Sequence, residues 1–175
     1  MNKIEEQIEK YKKTNNKKIR ILDLLDIDFV NYKEPTMNIA IGITCTFKCG
    51  KELCQNQPLC QIKPKEIEIE KILKLYTEQE ITKSITLQGL EPLDNLVDVL
   101  TIIREFRKTS NDKIIIWTGY KEEEIGSLIE YIKDNFTNII IKVGRYIPNQ
   151  KSHKDKILGV DLASDNQYAI EINRE

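Results

Sequence analysis

The sequence contains no run of eighteen apolar residues and no signal-peptide core in its opening stretch, "MNKIEEQIEKYKK", so no membrane association is expected. Neither charge is in excess: 27 Lys and Arg face 28 Asp and Glu, for a net charge of -1. No global field therefore advertises nucleic acid or an anionic surface, and neither is an expected partner. The chain lacks repeats and low-complexity segments, and it has a single histidine. That residue, His153, sits in the polar run "NQKSHKDK", where a solvated loop is expected rather than a metal ligand. Without targeting signals the expected compartment is the cytoplasm. Cysteine is scarce, four in 175 residues, and in a reducing compartment scarce thiols point away from disulfides and towards metal or redox chemistry.

What is present suits one domain with a proper core. Residues 1–35 read as an N-terminal extension packing on an α/β domain of residues 36–175. Within the extension, Ile4, Ile8 and Tyr11 fit a short surface helix over 2–15, whereas the apolar but irregular 20–35 matches no period. From Met37 the pattern is regular. "MNIAIGI" (37–43), "SITLQ" (84–88), "KIIIWTG" (113–119) and "NIIIKVG" (138–144) read as strands. Ile69, Ile72, Leu73 and Tyr76 recur at helical spacing, as do Leu93, Leu96, Val97, Leu100 and Ile103, and then Ile125, Leu128, Ile129 and Ile132. Two apolar runs near the end, 157–162 and 168–172, suit an edge strand or hairpin. Ile-rich strands alternating with helices predict a mostly parallel sheet covered by helices.

In such sheets chemistry gathers in the loops beyond the carboxyl ends of the strands. The first of these loops holds every cysteine, spaced Cys45-x3-Cys49-x4-Cys54-x5-Cys60. No Cys-x2-Cys pair exists, which disfavours a zinc knuckle or a thioredoxin-type redox pair. An iron–sulfur cluster tolerates irregular spacing in one loop, so it is the first expectation, with zinc and unmetallated thiols as alternatives.

The other loops on this edge carry a resemblance. Cys45 and Cys49 with Cys54-Gln55-Asn56, "GLEPL" (89–93), "IIIWTGY" (114–120), "KVGRY" (142–146) and "SDNQ" (164–167) are similar, in order, to motifs of the radical S-adenosylmethionine superfamily. Within it they most resemble the small activating enzymes of anaerobic ribonucleotide reductase. The chain differs in having two extra residues between Cys49 and Cys54, Leu90 for the second glycine of Gly-Gly-Glu-Pro, Val143 for an aspartate, and a longer lead-in.

The resemblance implies a partial (β/α) barrel in which Cys45, Cys49 and Cys54 hold three irons of a 4Fe-4S cluster and S-adenosylmethionine takes the fourth. Reductive cleavage would give a 5′-deoxyadenosyl radical, used to install a glycyl radical on a partner such as anaerobic ribonucleotide reductase. Flavodoxin or ferredoxin would supply the electron. Direct action on a small molecule or nucleobase is the nearer alternative; a non-catalytic four-cysteine module, zinc or closed iron–sulfur, is the further one. Cys60 is then a bystander or a substitute ligand. Gly89, Leu90, Glu91 and Pro92 are expected against the cofactor's methionyl amine, or else form a plain strand-to-helix turn. Thr118 bonds the cofactor or makes a local turn. Phe47 and Trp117 flank the site, with core packing the stronger expectation for Trp117. Arg145 meets the cofactor carboxylate or a helix carboxylate, and no catalytic side chain is singled out.

Overall fold

A computed structural model describes residues 2–172. The chain opens with α1 (Lys3–Lys12), begun by a capping box in which Asn2 accepts from the backbone of Ile4 and Glu5 while Glu5 reaches back to Asn2. Its buried stripe, Ile4, Ile8 and Tyr11, packs on the later helices α3 (Leu96–Phe106) and α4 (Gly126–Asn135). Two short strands follow, β1 (Lys18–Ile21) and β2 (Asp23–Asp28).

The main sheet has six strands. β3 (Thr36–Gly42), β5 (Ser84–Gly89), β6 (Lys113–Trp117) and β7 (Ile139–Val143) run parallel side by side. β2 is antiparallel beyond β3, and β10 (Tyr168–Ile172) is antiparallel beyond β7. β1 pairs separately with β4 (Lys65–Glu68), which leads into α2 (Ile69–Glu78). A small ribbon, β8 (His153–Lys154) with β9 (Asp161–Leu162), lies in the tail.

Within the irregular stretch 20–35, β2 forms one edge of the sheet. Its irregular pattern has a cause. The register of β2 on β3 shifts between Leu25 and Asp28, so the side-chain alternation breaks within six residues. Of the tail, 168–172 is the edge strand β10, and 161–162 belongs to the ribbon.

The two faces of the sheet differ. Met37, Ile39, Ile41, Ile85, Leu87, Ile114, Ile116, Ile139, Ile141 and Val143 face the helices in one continuous core. The other face carries Ile115 and Ile140, covered by Tyr32, Leu158, Leu162 and Ala169. Register sets Ala40 beside Gln88 and Trp117 beside Lys142 on this second face, close to the carboxyl ends of the strands. None of the core residues comes from 43–66. No helix among the described residues is long and apolar enough to cross a membrane.

Candidate metal centre

The cysteine loop leaves β3 and turns sharply. Phe47 and Gly50 adopt positive φ (51° and 91°), and the Gly50 N–H donates to the Phe47 carbonyl at 2.8 Å. Lys51–Leu53 then form one tight turn, followed by a second over Gln57–Gln61. The first turn takes up the extra residues between Cys49 and Cys54, so the longer spacing still returns Cys54 to the others. Cys45, Cys49 and Cys54 are half-buried, reduced, and line one cavity of about 270 Å³. Cys60 is exposed and is not among the residues lining it.

The Phe47 N–H donates to the Cys45 sulfur at 3.2 Å. Burial pushes the Cys45 thiol up to about 11 and raises that of Cys54, favouring the protonated form of both. Binding as thiolates would release those protons. Among the described residues no three or more His, Cys, Asp or Glu side chains converge tightly enough to hold a single ion. Three thiols spread around one cavity fit a larger, multi-iron core, whose ligands attach at separate corners.

The remaining wall comes from the other strand ends: Gly89, Leu90 and Glu91 after β5, Thr118, Gly119 and Tyr120 after β6, and Gly144, Arg145 and Tyr146 after β7. These loops are tied together. Asn56, two residues past Cys54, donates through Nδ2 to the Gly89 carbonyl at 2.7 Å. Gly89 has a φ of 125°, and a Cβ there would sit 2.8 Å from the Gly42 carbonyl, so only glycine lets the two strand ends close. The Leu90 N–H donates to that carbonyl at 2.8 Å.

Polar contacts tie the loops to one another. Glu91 is almost fully buried, and its carboxylate accepts from Thr118 Oγ1 (2.6 Å), the Gly119 N–H (2.9 Å) and the Leu93 N–H (3.0 Å). Burial raises its pKa against these three donors. Glu91 thus clamps one loop to the next, and Thr118 completes a local turn by accepting from the Tyr120 N–H at 3.0 Å. Tyr120 in turn donates its hydroxyl to Asp94 at 2.7 Å. Pro92 is buried and Phe47 half-buried; neither lines the cavity.

Arg145 meets the helix carboxylate, Glu124, through two contacts of 2.7 and 2.9 Å. The Arg145 hydrogen bond is the main cause holding Glu124 down at about 2, with Lys48 of the cysteine loop a further cation 3.6 Å away. His153 is half-buried in β8 with Nδ1 unpartnered, not in a solvated loop. Trp117 does both expected things: it packs on the second face and lines the cavity.

With this geometry in view, the comparison with known families is direct. A family model described as a 4Fe-4S single cluster domain matches residues 40–168. The chain belongs to that family. No curated protein and no solved structure matches it. The match supports iron–sulfur binding, and the clustered thiols of residues 45–54 lie within the matched segment.

Two contributors to the site carried no motif. Gly42 lies behind the wall and is needed because a Cβ would lie 2.7 Å from the Glu91 nitrogen. Lys142 lines the cavity from within an otherwise apolar strand; its signal was a charge in "IIIKVG" on the face opposite Ile141 and Val143.

Proposed function

We propose that this chain is a radical S-adenosylmethionine enzyme, and that it serves as an activase installing a glycyl radical on a partner such as anaerobic ribonucleotide reductase. What carries this proposal is one observation: the three thiols and the "GLEPL" and "TGY" loops line the same cavity at the carboxyl edge of four parallel strands. Parallel strands with their helices on one face suit a partial (β/α) barrel of the radical type, which we propose as the fold relationship. When bound, the cluster supplies the electron that cleaves a carbon–sulfur bond of S-adenosylmethionine and so provides a 5′-deoxyadenosyl radical.

The chain's own residues position and enclose. Cys45, Cys49 and Cys54 would hold the cluster through their thiolates, and with only three protein ligands it would be open to the amino and carboxylate groups of S-adenosylmethionine. Gly89 and Leu90 form part of the wall of the same cavity. Their backbone is held by Asn56 and Gly42, and Glu91 fixes the Thr118–Gly119 turn opposite. Thr118 and Glu91 act here as positioning residues, because their polar atoms bond each other. A polypeptide substrate is favoured by exposed apolar side chains at the cavity mouth. Phe29 (69% exposed) and Val30 (74%) directly precede Asn31, which lines the cavity together with half-exposed Leu53. Flavodoxin or ferredoxin is the proposed electron donor.

The test is anaerobic reconstitution with iron and sulfide, then reduction with S-adenosylmethionine present. The expected products are methionine and 5′-deoxyadenosine in equal amounts. A stable cluster that yields neither under any low-potential reductant would refute the enzyme assignment and leave an electron-transfer or structural cluster.

A further inference from the structure

Lys142 projects from the carboxyl end of β7 into the wall of the thiol cavity and is only 5% exposed. Its Nζ donates to the Gly144 carbonyl at 2.8 Å and more weakly to the Thr118 carbonyl at 3.4 Å. The ammonium also lies 5.7 Å from the centroid of the Trp117 ring. None of these partners is charged, and among the described residues Lys142 forms no ion pair. A buried ammonium without a counter-charge is costly, and proteins keep one only where something answers it.

The surrounding charges do not answer it. Arg145 and Lys48 share Glu124 on the start of α4, and Glu91 is fully engaged by Thr118, Gly119 and Leu93. Asp161 lines the cavity but is exposed. The groups that act on Lys142 electrostatically are Glu91, already bonded elsewhere, and Cys49, one of the thiols lining the same cavity. Three thiolates carrying an iron–sulfur core bring net negative charge to that spot, and net charge is one of the factors that sets a cluster's potential.

We propose that Lys142 is the internal counter-charge of the cluster, a positioning residue whose ammonium stabilises the more negative, reduced state and so raises the reduction potential. This rests on the ligand assignment of Cys45, Cys49 and Cys54 and is independent of S-adenosylmethionine. Anchoring by two carbonyls keeps the charge fixed, with no carboxylate bonded to it.

The experiment is a redox titration of the reconstituted full chain, without S-adenosylmethionine, followed by the paramagnetic signal of the reduced cluster. Wild type is compared with Lys142→Met, Lys142→Arg and, as a control for net charge, Lys74→Met on the exposed face of α2. Lys142→Met should lower the reduced-to-oxidised ratio at fixed poise about tenfold, a fall of about 59 mV for one electron. Lys142→Arg and Lys74→Met should stay within about twofold of wild type if one cation at this place is what matters. Loss of the cluster from Lys142→Met but not from Lys142→Arg, read as bound iron, would support the same role through affinity. A Lys142→Met potential equal to wild type, or an equal shift in Lys74→Met, would overturn the proposal. A wild-type chain that assembles no cluster would overturn the ligand assignment along with it. Failure to cleave S-adenosylmethionine would touch only the proposed enzyme activity.

Discussion

Cys54 and Cys60 are six positions apart and have different surroundings. Cys54 follows the Lys51–Leu53 turn into the cavity, while Cys60 sits in the second turn, exposed. Cys54→Ser is therefore expected to abolish the cluster, and Cys60→Ser to leave iron content and the visible absorption band close to wild type. Equal loss in both variants would mean a closed, four-thiol centre. Residue-scale features of the site were unevenly legible in the sequence. Cys45, Cys49 and Cys54 stand out because thiols are rare and clustered. The bond from Asn56 to the Gly89 carbonyl joins positions 33 residues apart, and no local pattern encodes it. Lys142 escaped notice because a single charge in an apolar strand reads as a strand end until the register shows which face it takes.

At the scale of elements, the C-terminal half of α3 is tied to the chain before β1. Glu105 accepts from Lys17 (2.8 Å), Lys108 (2.9 Å) and Arg104 (2.9 Å), and Arg104 also donates to the Thr14 and Asn16 carbonyls at 3.0 and 3.1 Å. Desolvation opposes ionisation of Glu105, but these hydrogen bonds outweigh it and hold the carboxyl at about 2, below its usual 4.5. A depressed carboxylate contributes stability that is complete above its unfolded value and fades as pH falls towards its folded one. Glu105→Gln should thus cost on the order of 1–2 kcal/mol at neutral pH. The difference from wild type, measured by urea unfolding, should shrink between pH 4.5 and 2; a gap constant across that window would contradict the assignment. The strands β3, β5, β6 and β7 and the helices were readable because their apolar positions keep one period for several residues. β2 was not, since its register shift interrupts the alternation that identifies a strand.

Across the whole molecule, the core and the metal loop are separate investments of the chain. The helix-side core spans residues from Ile4 to Ile172, yet neither core takes a side chain from 43–66. The two turns of the cysteine loop bury none of their residues. Removing iron with a chelator should accordingly shift the global unfolding midpoint little, while proteolysis within 45–62 accelerates. A chain that loses cooperative unfolding on chelation would show that the sheet depends on the metal after all.

That separation has a consequence for supply. If chelation leaves the sheet folded as expected, scarcity of metal would leave a folded stock of chain rather than a misfolded one. Asn56 belongs to the cysteine loop but bonds the end of β5, so ordering of the thiols on their metal would also steady the wall beside them. Cluster content would then follow iron availability through a reversible local ordering, with no new synthesis required.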